Sequence, residues 1–226
     1  MKTAGSETPI ASNSQRLKVT EIFLSLQGES DLMGLPTVFI RLTGCPLRCQ
    51  YCDTAYAFHG GKWMDTTEIL AQVSRHAVRQ VCVTGGEPLA QKNCLGLLRQ
   101  LCDVGYTVSI ETGGSIDIAP VDPRVIRVVD VKTPGSAESD KNRWSNLDHL
   151  TSRDQVKFVI CDRADYEWSC EIMNRHKIPQ KSTVLFSPSY GALEPRTLAD
   201  WIIEDRLPVR FQIQLHKILW GGEPGR

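Results

Sequence analysis

The sequence predicts an α/β protein built as an abbreviated, partial (open) βα barrel. Strand-like and helix-like segments alternate along most of the chain, which signals βαβ units and a parallel sheet. Polar or glycine-rich groups recur after the strands, where parallel α/β folds place their ligands. The units are too few for a complete eight-fold barrel.

Taken in order, residues 18–26 alternate as a strand and run into a polar turn, Gln27-Gly28-Glu29-Ser30. Residues 37–42 form a second strand, leading to Gly44. Residues 66–76 read as a helix capped by Thr66 or Thr67, with Ile69, Leu70 and Val73 on one face. A strand over 80–84 ends in Gly85-Gly86-Glu87-Pro88, and a helix over 91–103 is closed by Gly105. Strands follow over 107–111, 125–131, 155–160, 183–186 and 209–215, with helices over 163–177 and 194–206.

The 226 residues, 41% hydrophobic, suit one domain over 17–226 behind a loose Ser/Thr-rich tail over 1–16. Twenty-six basic and twenty-six acidic residues cancel, so no nucleic-acid face is expected. No apolar run approaches the ~20 residues of a membrane span, and the start lacks a signal-peptide core. A cytoplasmic protein with reduced thiols is expected, without disulfides among its eight cysteines.

The densest chemistry lies in Gly44-Cys45-Pro46-Leu47-Arg48-Cys49-Gln50-Tyr51-Cys52-Asp53-Thr54. Three cysteines on one short loop suit three irons of a [4Fe–4S] cluster and leave the fourth iron open to a small molecule. A structural zinc loop usually has a fourth protein ligand, and no second pair lies downstream. In Gly85-Gly86-Glu87-Pro88, two glycines admit close backbone approach and Glu87 can pair with an ammonium, or the stretch is an ordinary strand-to-helix turn. Asp53 and Thr54 suit a hard cation such as Mg²⁺, or simply a polar loop end. Gln27-Gly28-Glu29 can read a heterocycle or form a solvated turn. Arg41 suits a carboxylate or a solvated rim. Gln212, Gln214 and His216 share one face if the last strand is extended, lining either a site or an exposed edge.

Cys82, Cys94, Cys102, Cys161 and Cys170 are too scattered for a second cluster and read as buried thiols. His59, His76, His149 and His176 show no metal spacing. Trp63, Trp144, Trp168, Trp201 and Trp220 read as packing residues.

The cysteine loop, with Tyr51 before its last cysteine, and the Gly-Gly-Glu-Pro turn resemble the radical S-adenosylmethionine (SAM) superfamily. There, SAM chelates the open iron, and one electron from the cluster cleaves it to methionine and a 5′-deoxyadenosyl radical. Ser25–Ser30, Gly34, Pro36, Phe39–Leu42, Cys52-Asp53-Thr54, Thr84–Pro88, Glu111–Gly114, Asp130-Val131-Lys132 and Gln214–Lys217 narrow the resemblance, over residues 19–220, to the 7-carboxy-7-deazaguanine synthase family.

That resemblance implies conversion of 6-carboxy-5,6,7,8-tetrahydropterin to 7-carboxy-7-deazaguanine with release of ammonia, on the path to queuosine and other 7-deazapurines. In it, the radical takes hydrogen from C6 of the pterin, the ring rearranges and SAM is regenerated. The implied cofactors are the [4Fe–4S] cluster on Cys45, Cys49 and Cys52, SAM, and Mg²⁺ on Thr54. The implied SAM contacts are Tyr51, Asp53, Gly86, Glu87, Asp130, Val131, Lys132, Ser187, Pro188, Ser189 and Tyr190. The implied substrate contacts are Leu26, Gln27, Gly28, Glu29, Arg41, Thr84 and His216. A homodimer and a reduced electron donor, flavodoxin for instance, are implied as partners, with neither nucleic acid nor membrane. Asp130-Val131-Lys132 departs from the Ser-Pro-Lys expected of many members, so backbone contacts carry over there better than side-chain ones. Residues 221–226 extend past the end of shorter members, so no contact from a chain-end carboxylate carries over. Two rivals remain: a glycyl-radical-enzyme activase, which needs no tight polar pocket, and a non-enzymatic iron–sulfur or zinc module, which needs no Gly-Gly-Glu-Pro turn.

Overall fold

A computed structural model describes residues 15–221, 223 and 225. The tail expected over 1–16 lies outside these as far as residue 14, and Arg16 already pairs in the first strand. Among the described residues the strands are β1 (Arg16–Leu26), β2 (Pro36–Leu42), β3 (Lys62–Asp65), β4 (Gln80–Gly85), β5 (Thr107–Thr112), β6 (Ile126–Asp130), β7 (Gln155–Ile160), β8 (Thr183–Pro188) and β9 (Arg210–Phe211). The α-helices are α1 (Thr66–Ser74), α2 (Cys94–Asp103), α3 (Arg163–Arg175), α4 (Pro195–Glu204) and α5 (Leu215–Trp220).

All nine strands form one sheet, in the order β3-β1-β2-β4-β5-β6-β7-β8-β9. From β2 to β9 neighbouring strands are parallel, while β1 runs antiparallel to both β2 and β3. β3 and β9 remain at opposite edges, so the barrel is open as expected.

The two faces of the sheet follow from the period of two along each strand. Val38, Ile40 and Leu42 on β2, Val81 and Val83 on β4, and Val108 and Ile110 on β5 are buried in a core shared with α1 and α2. Val156, Phe158 and Ile160 on β7 and Val184 and Phe186 on β8 are buried in a second core under α3 and α4. The intervening residues Phe23, Phe39, Arg41, Thr84, Glu111, Val128, Asp130, Lys157 and Val159 line a cavity on the opposite face.

Local chemistry moves several boundaries. The cap of α1 is Asp65 rather than Thr66 or Thr67, because the Glu68 carboxylate accepts the Asp65 backbone N–H at 2.9 Å. α2 starts at Cys94 rather than Gln91, whose side chain donates to the carbonyls of Lys18 and Thr43 at 2.9 and 3.0 Å. No α-helix joins β6 to β7. Short 3₁₀ turns do so instead, and Arg127 on β6 forms a buried bidentate pair with Asp154 at 3.0 and 2.5 Å.

The strand expected over 209–215 is the largest correction. Pairing with β8 covers only Arg210 and Phe211, and α5 begins at Leu215. Gln212 leaves the shared face because its amide donates to the Ser30 carbonyl at 2.8 Å and accepts the Ser30 N–H at 2.9 Å. All eight cysteines are free, but only Cys82 and Cys94 of the scattered five are fully buried; the other three are half-buried. Trp144 stacks on His176 and Trp201 packs at a tilt against Tyr166, whereas Trp63 on β3 is 57% exposed.

Candidate active site

The cavity measures about 310 Å³ and opens at the carboxyl ends of the parallel strands. The cysteine loop leaves β2 through Gly44, in the left-handed region at φ +98°, where a side chain would be strained. Gly44 is held from both sides: its N–H donates to the Ala57 carbonyl, and its carbonyl accepts from Glu87 N–H, both at 2.8 Å. A Cβ on Gly86 would lie 2.3 Å from the Gly44 oxygen, so the two turns touch through bare backbone.

Cys45, Cys49 and Cys52 are half-buried, free and all at the cavity wall. Among the described residues no three His, Cys, Asp or Glu side chains converge as a single metal ion requires. Three thiolates that each bind a different iron of a cluster need no such convergence. Burial pushes the thiols of Cys45 and Cys49 up, opposed in part by the Lys132 ammonium, so loading a cluster releases protons. Beside the loop, the Tyr51 hydroxyl and Asp130 Oδ1 are buried at the cavity and have no partner among the described residues. Orphaned polar atoms at the wall of a cleft fit a polar ligand. Lys132 Nζ pairs with Asp130 Oδ2 at 2.9 Å and stands over the Tyr51 ring at 5.8 Å.

Glu87 departs from its expected role. Its carboxylate is fully buried and accepts from Leu89 N–H at 3.0 Å, Gly113 N–H at 2.7 Å and the Thr112 hydroxyl at 2.9 Å. It ties the turn after β4 to the turn after β5 instead of facing the cavity. Val131 also turns away, into the core beneath α3. Of 187–190, Ser187 and Pro188 are buried within β8, while Ser189 and Tyr190 line the cavity.

Toward the other end of the cavity the expected substrate residues assemble. Leu26, Gln27, Gly28, Glu29, Arg41, Thr84 and His216 all line it. Gln27 holds the turn to the sheet: Nε2 donates to Glu111 Oε1 at 3.3 Å and Oε1 accepts from Glu29 N–H at 3.2 Å. The Thr84 hydroxyl donates to Glu111 Oε2 at 3.0 Å. The Glu29 carboxylate pairs with Lys157 Nζ at 2.5 Å. Arg41 Nε is anchored to Glu21 at 2.7 Å, with its guanidinium over the rings of Phe23 and Tyr56.

His216 reaches the cavity from α5, not from a strand. The Leu215 N–H donates to the Gly28 carbonyl at 3.1 Å, which docks the first turn of α5 against the Gln27-Gly28-Glu29 turn. A Cβ on Gly28 would lie 2.3 Å from His216 Nδ1. Asp53 faces Lys217 Nζ at 3.5 Å and His216 Nε2 at 3.9 Å. Burial opposes ionisation of Asp53, but these two partners outweigh it and hold the carboxyl well below its usual range. Thr54 also lines the cavity, its hydroxyl 3.9 Å from Cys52 Sγ.

Glu21 and Lys157 were missed in the sequence, and Glu111 was assigned no role there. Each is a charge placed in an otherwise apolar or alternating strand, the signal that singled out Arg41.

An open parallel sheet, a three-cysteine loop and a glycine-rich turn against it define a radical SAM protein, and residues 39–134 match the Radical SAM superfamily model. The chain is 43% identical over 222 residues to a 7-carboxy-7-deazaguanine synthase of Koribacter versatilis, covering 92% of this chain and 98% of that one. It is 44% identical over 207 residues to that of Chlorobaculum tepidum, covering 90% and 94%. The crystal structure of QueE from Escherichia coli shares the fold, with a TM-score of 0.75 at 24% identity over 91% of this chain and all of that one. The chain belongs to the 7-carboxy-7-deazaguanine synthase family.

Proposed function

We propose that this chain contracts the ring of 6-carboxy-5,6,7,8-tetrahydropterin to 7-carboxy-7-deazaguanine with loss of ammonia, serving queuosine and 7-deazapurine synthesis. The observation that carries this reading is one cavity with the cysteine loop at one end and the Glu29, Arg41, Thr84–Glu111 and His216 groups at the other. Family membership and that polar pocket set aside the activase and the non-enzymatic module.

Cys45, Cys49 and Cys52 hold the cluster. When bound, cluster and SAM together supply one-electron chemistry that generates a hydrogen-abstracting radical. The chain's own residues bind and orient around them. Gly85 and Gly86 let their turn pack against β2 and the cysteine loop, and with Tyr51, Asp53, Asp130, Lys132, Ser189 and Tyr190 they line the SAM end of the cavity. Glu87 acts through the two turns it ties together, and Val131, Ser187 and Pro188 through the backbone they place. At the other end, Glu29 accepts from paired N–H groups of the pterin, and Arg41 meets its carboxylate. His216, beside Asp53, exchanges hydrogen bonds with the heterocycle. Thr54 would offer its hydroxyl oxygen to Mg²⁺, and the ion would supply positive charge for the substrate carboxylate.

The working assembly in this reading is a cytoplasmic homodimer fed by a reduced donor such as flavodoxin, contacting neither nucleic acid nor membrane. No helix among the described residues is long and apolar enough to cross a membrane, and the formal charge sums to zero. The test is anaerobic turnover of the tetrahydropterin with SAM, dithionite and Mg²⁺, with product followed by mass spectrometry. Product formed by the wild type and absent with Cys49→Ala supports the reading; SAM cleavage without deazaguanine overturns the substrate.

A further inference from the structure

Asp130 and Lys157 face each other in register across β6 and β7, so their side chains emerge on the same, cavity face of the sheet. Lys157 Nζ sits 2.5 Å from Glu29 Oε2 and 3.7 Å from Asp130 Oδ2. Asp130 Oδ2 is also 2.9 Å from Lys132 Nζ. Four charges thus form one continuous chain, Glu29–Lys157–Asp130–Lys132, across the cavity floor. The first belongs to the substrate end and the last two to the cofactor end. All four side chains are at most 16% exposed, so solvent screens the chain little. The remaining oxygen, Asp130 Oδ1, is buried without a partner among the described residues and can accept from a bound O–H or N–H donor.

We propose that Lys157 is a positioning residue shared by the two halves of the cavity, and that through Glu29 and Asp130 it couples pterin binding to SAM binding. The inference rests on the function proposed above. A single ammonium serves two carboxylates. A ligand that fixes Glu29 restricts Lys157, which fixes Asp130 with Oδ1 toward the cofactor. The second ligand then finds its acceptor already ordered, so each ligand tightens the other, by the same factor in both directions.

The test is titration calorimetry on protein carrying the oxidised cluster, under anaerobic conditions without reductant, so that no turnover occurs. SAM affinity is measured with and without 6-carboxytetrahydropterin, and pterin affinity with and without SAM. Wild type is expected to show a reciprocal tightening of about 5- to 150-fold. Asp130→Asn keeps the shape and the Glu29–Lys157 pair while weakening the middle link. It should leave pterin affinity alone within twofold and bring the tightening to within twofold of none. Lys157→Met should also abolish the tightening and weaken pterin binding; Lys157→Arg should restore part of both. Should Lys157→Met not fold, Asp130→Asn decides. A tightening unchanged in Asp130→Asn, or absent from wild type that binds both ligands singly, overturns the proposal. Wild type that binds SAM but no pterin overturns the substrate reading first, and the coupling with it.

Discussion

Gly28→Ala tests the docking of α5 against the Gln27-Gly28-Glu29 turn. The new methyl carbon would stand 2.3 Å from His216 Nδ1, 3.2 Å from Cγ and 3.3 Å from the backbone nitrogen. Ordinary contact begins at 3.4 Å, so the ring must retreat by about 1 Å. Gly28 does not occupy the left-handed region, so the effect is steric and not a backbone penalty. Overpacking of this kind costs about 1–3 kcal/mol. For a chain of this size that lowers Tm by roughly 2–12 °C. A displacement near 1 Å at a positioned group can cost about 100-fold in kcat/KM. The assay is a double-mutant cycle with His216→Ala, read by anaerobic thermal unfolding and by turnover. Removing the ring removes the obstruction, so Gly28→Ala in that background should cost markedly less, giving a coupling of about 1–2 kcal/mol. Two substitutions that simply add, in both Tm and kcat/KM, would refute the reasoning.

Three further outcomes are expected. Arg41→Lys keeps the charge but loses the Nε anchor to Glu21 and the planar fork, so KM for the carboxylated pterin should rise about 10- to 100-fold with kcat less affected. An unchanged KM would remove Arg41 from the substrate's carboxylate. Glu87→Gln places an amide where three donors converge, and should lower stability by about 2–4 kcal/mol while weakening SAM binding in equilibrium dialysis. Equal SAM affinity would mean that the two turns hold without the carboxylate. Burial works against the charge on Asp154, but hydrogen bonds from Arg127 and Thr151 dominate and lower its pKa from 3.8. Its contribution to stability is therefore present above pH ~4 and lost as pH falls through the depressed value. Urea unfolding of Asp154→Asn should be weaker than wild type at pH 7 and fall less steeply on acidification; parallel curves would exclude this pair as the source.

The parallel core strands and their turns were legible because burial on the outer face leaves apolar alternants at β2, β4, β5, β7 and β8. β3 was not, because Lys62-Trp63-Met64-Asp65 is a four-residue edge strand with little to bury. The last strand was overextended because Gln212, Gln214 and His216 alternate whatever their conformation; the bonds from Gln212 to Ser30 decide it, and they span 182 positions. The three thiols of the cysteine loop were legible together because they lie within eight residues of one another, and all three line the cavity. The burial of Glu87 was not legible locally, because two of its three donors, Thr112 and Gly113, lie on the next βα unit. Lys157 and Glu21 act through long-range pairs that no short window contains.

Asp53 and Gln214 meet across 161 positions of sequence, and with His216 and Lys217 this contact closes one wall of the cavity. On the ribosome, synthesis at about 5–20 residues per second separates the two by roughly 8–30 s. The three thiols of the cysteine loop therefore emerge well before the segment that completes this wall. That wall is completed only once the last part of the chain has been made, and until then Asp53 lacks all three of these partners.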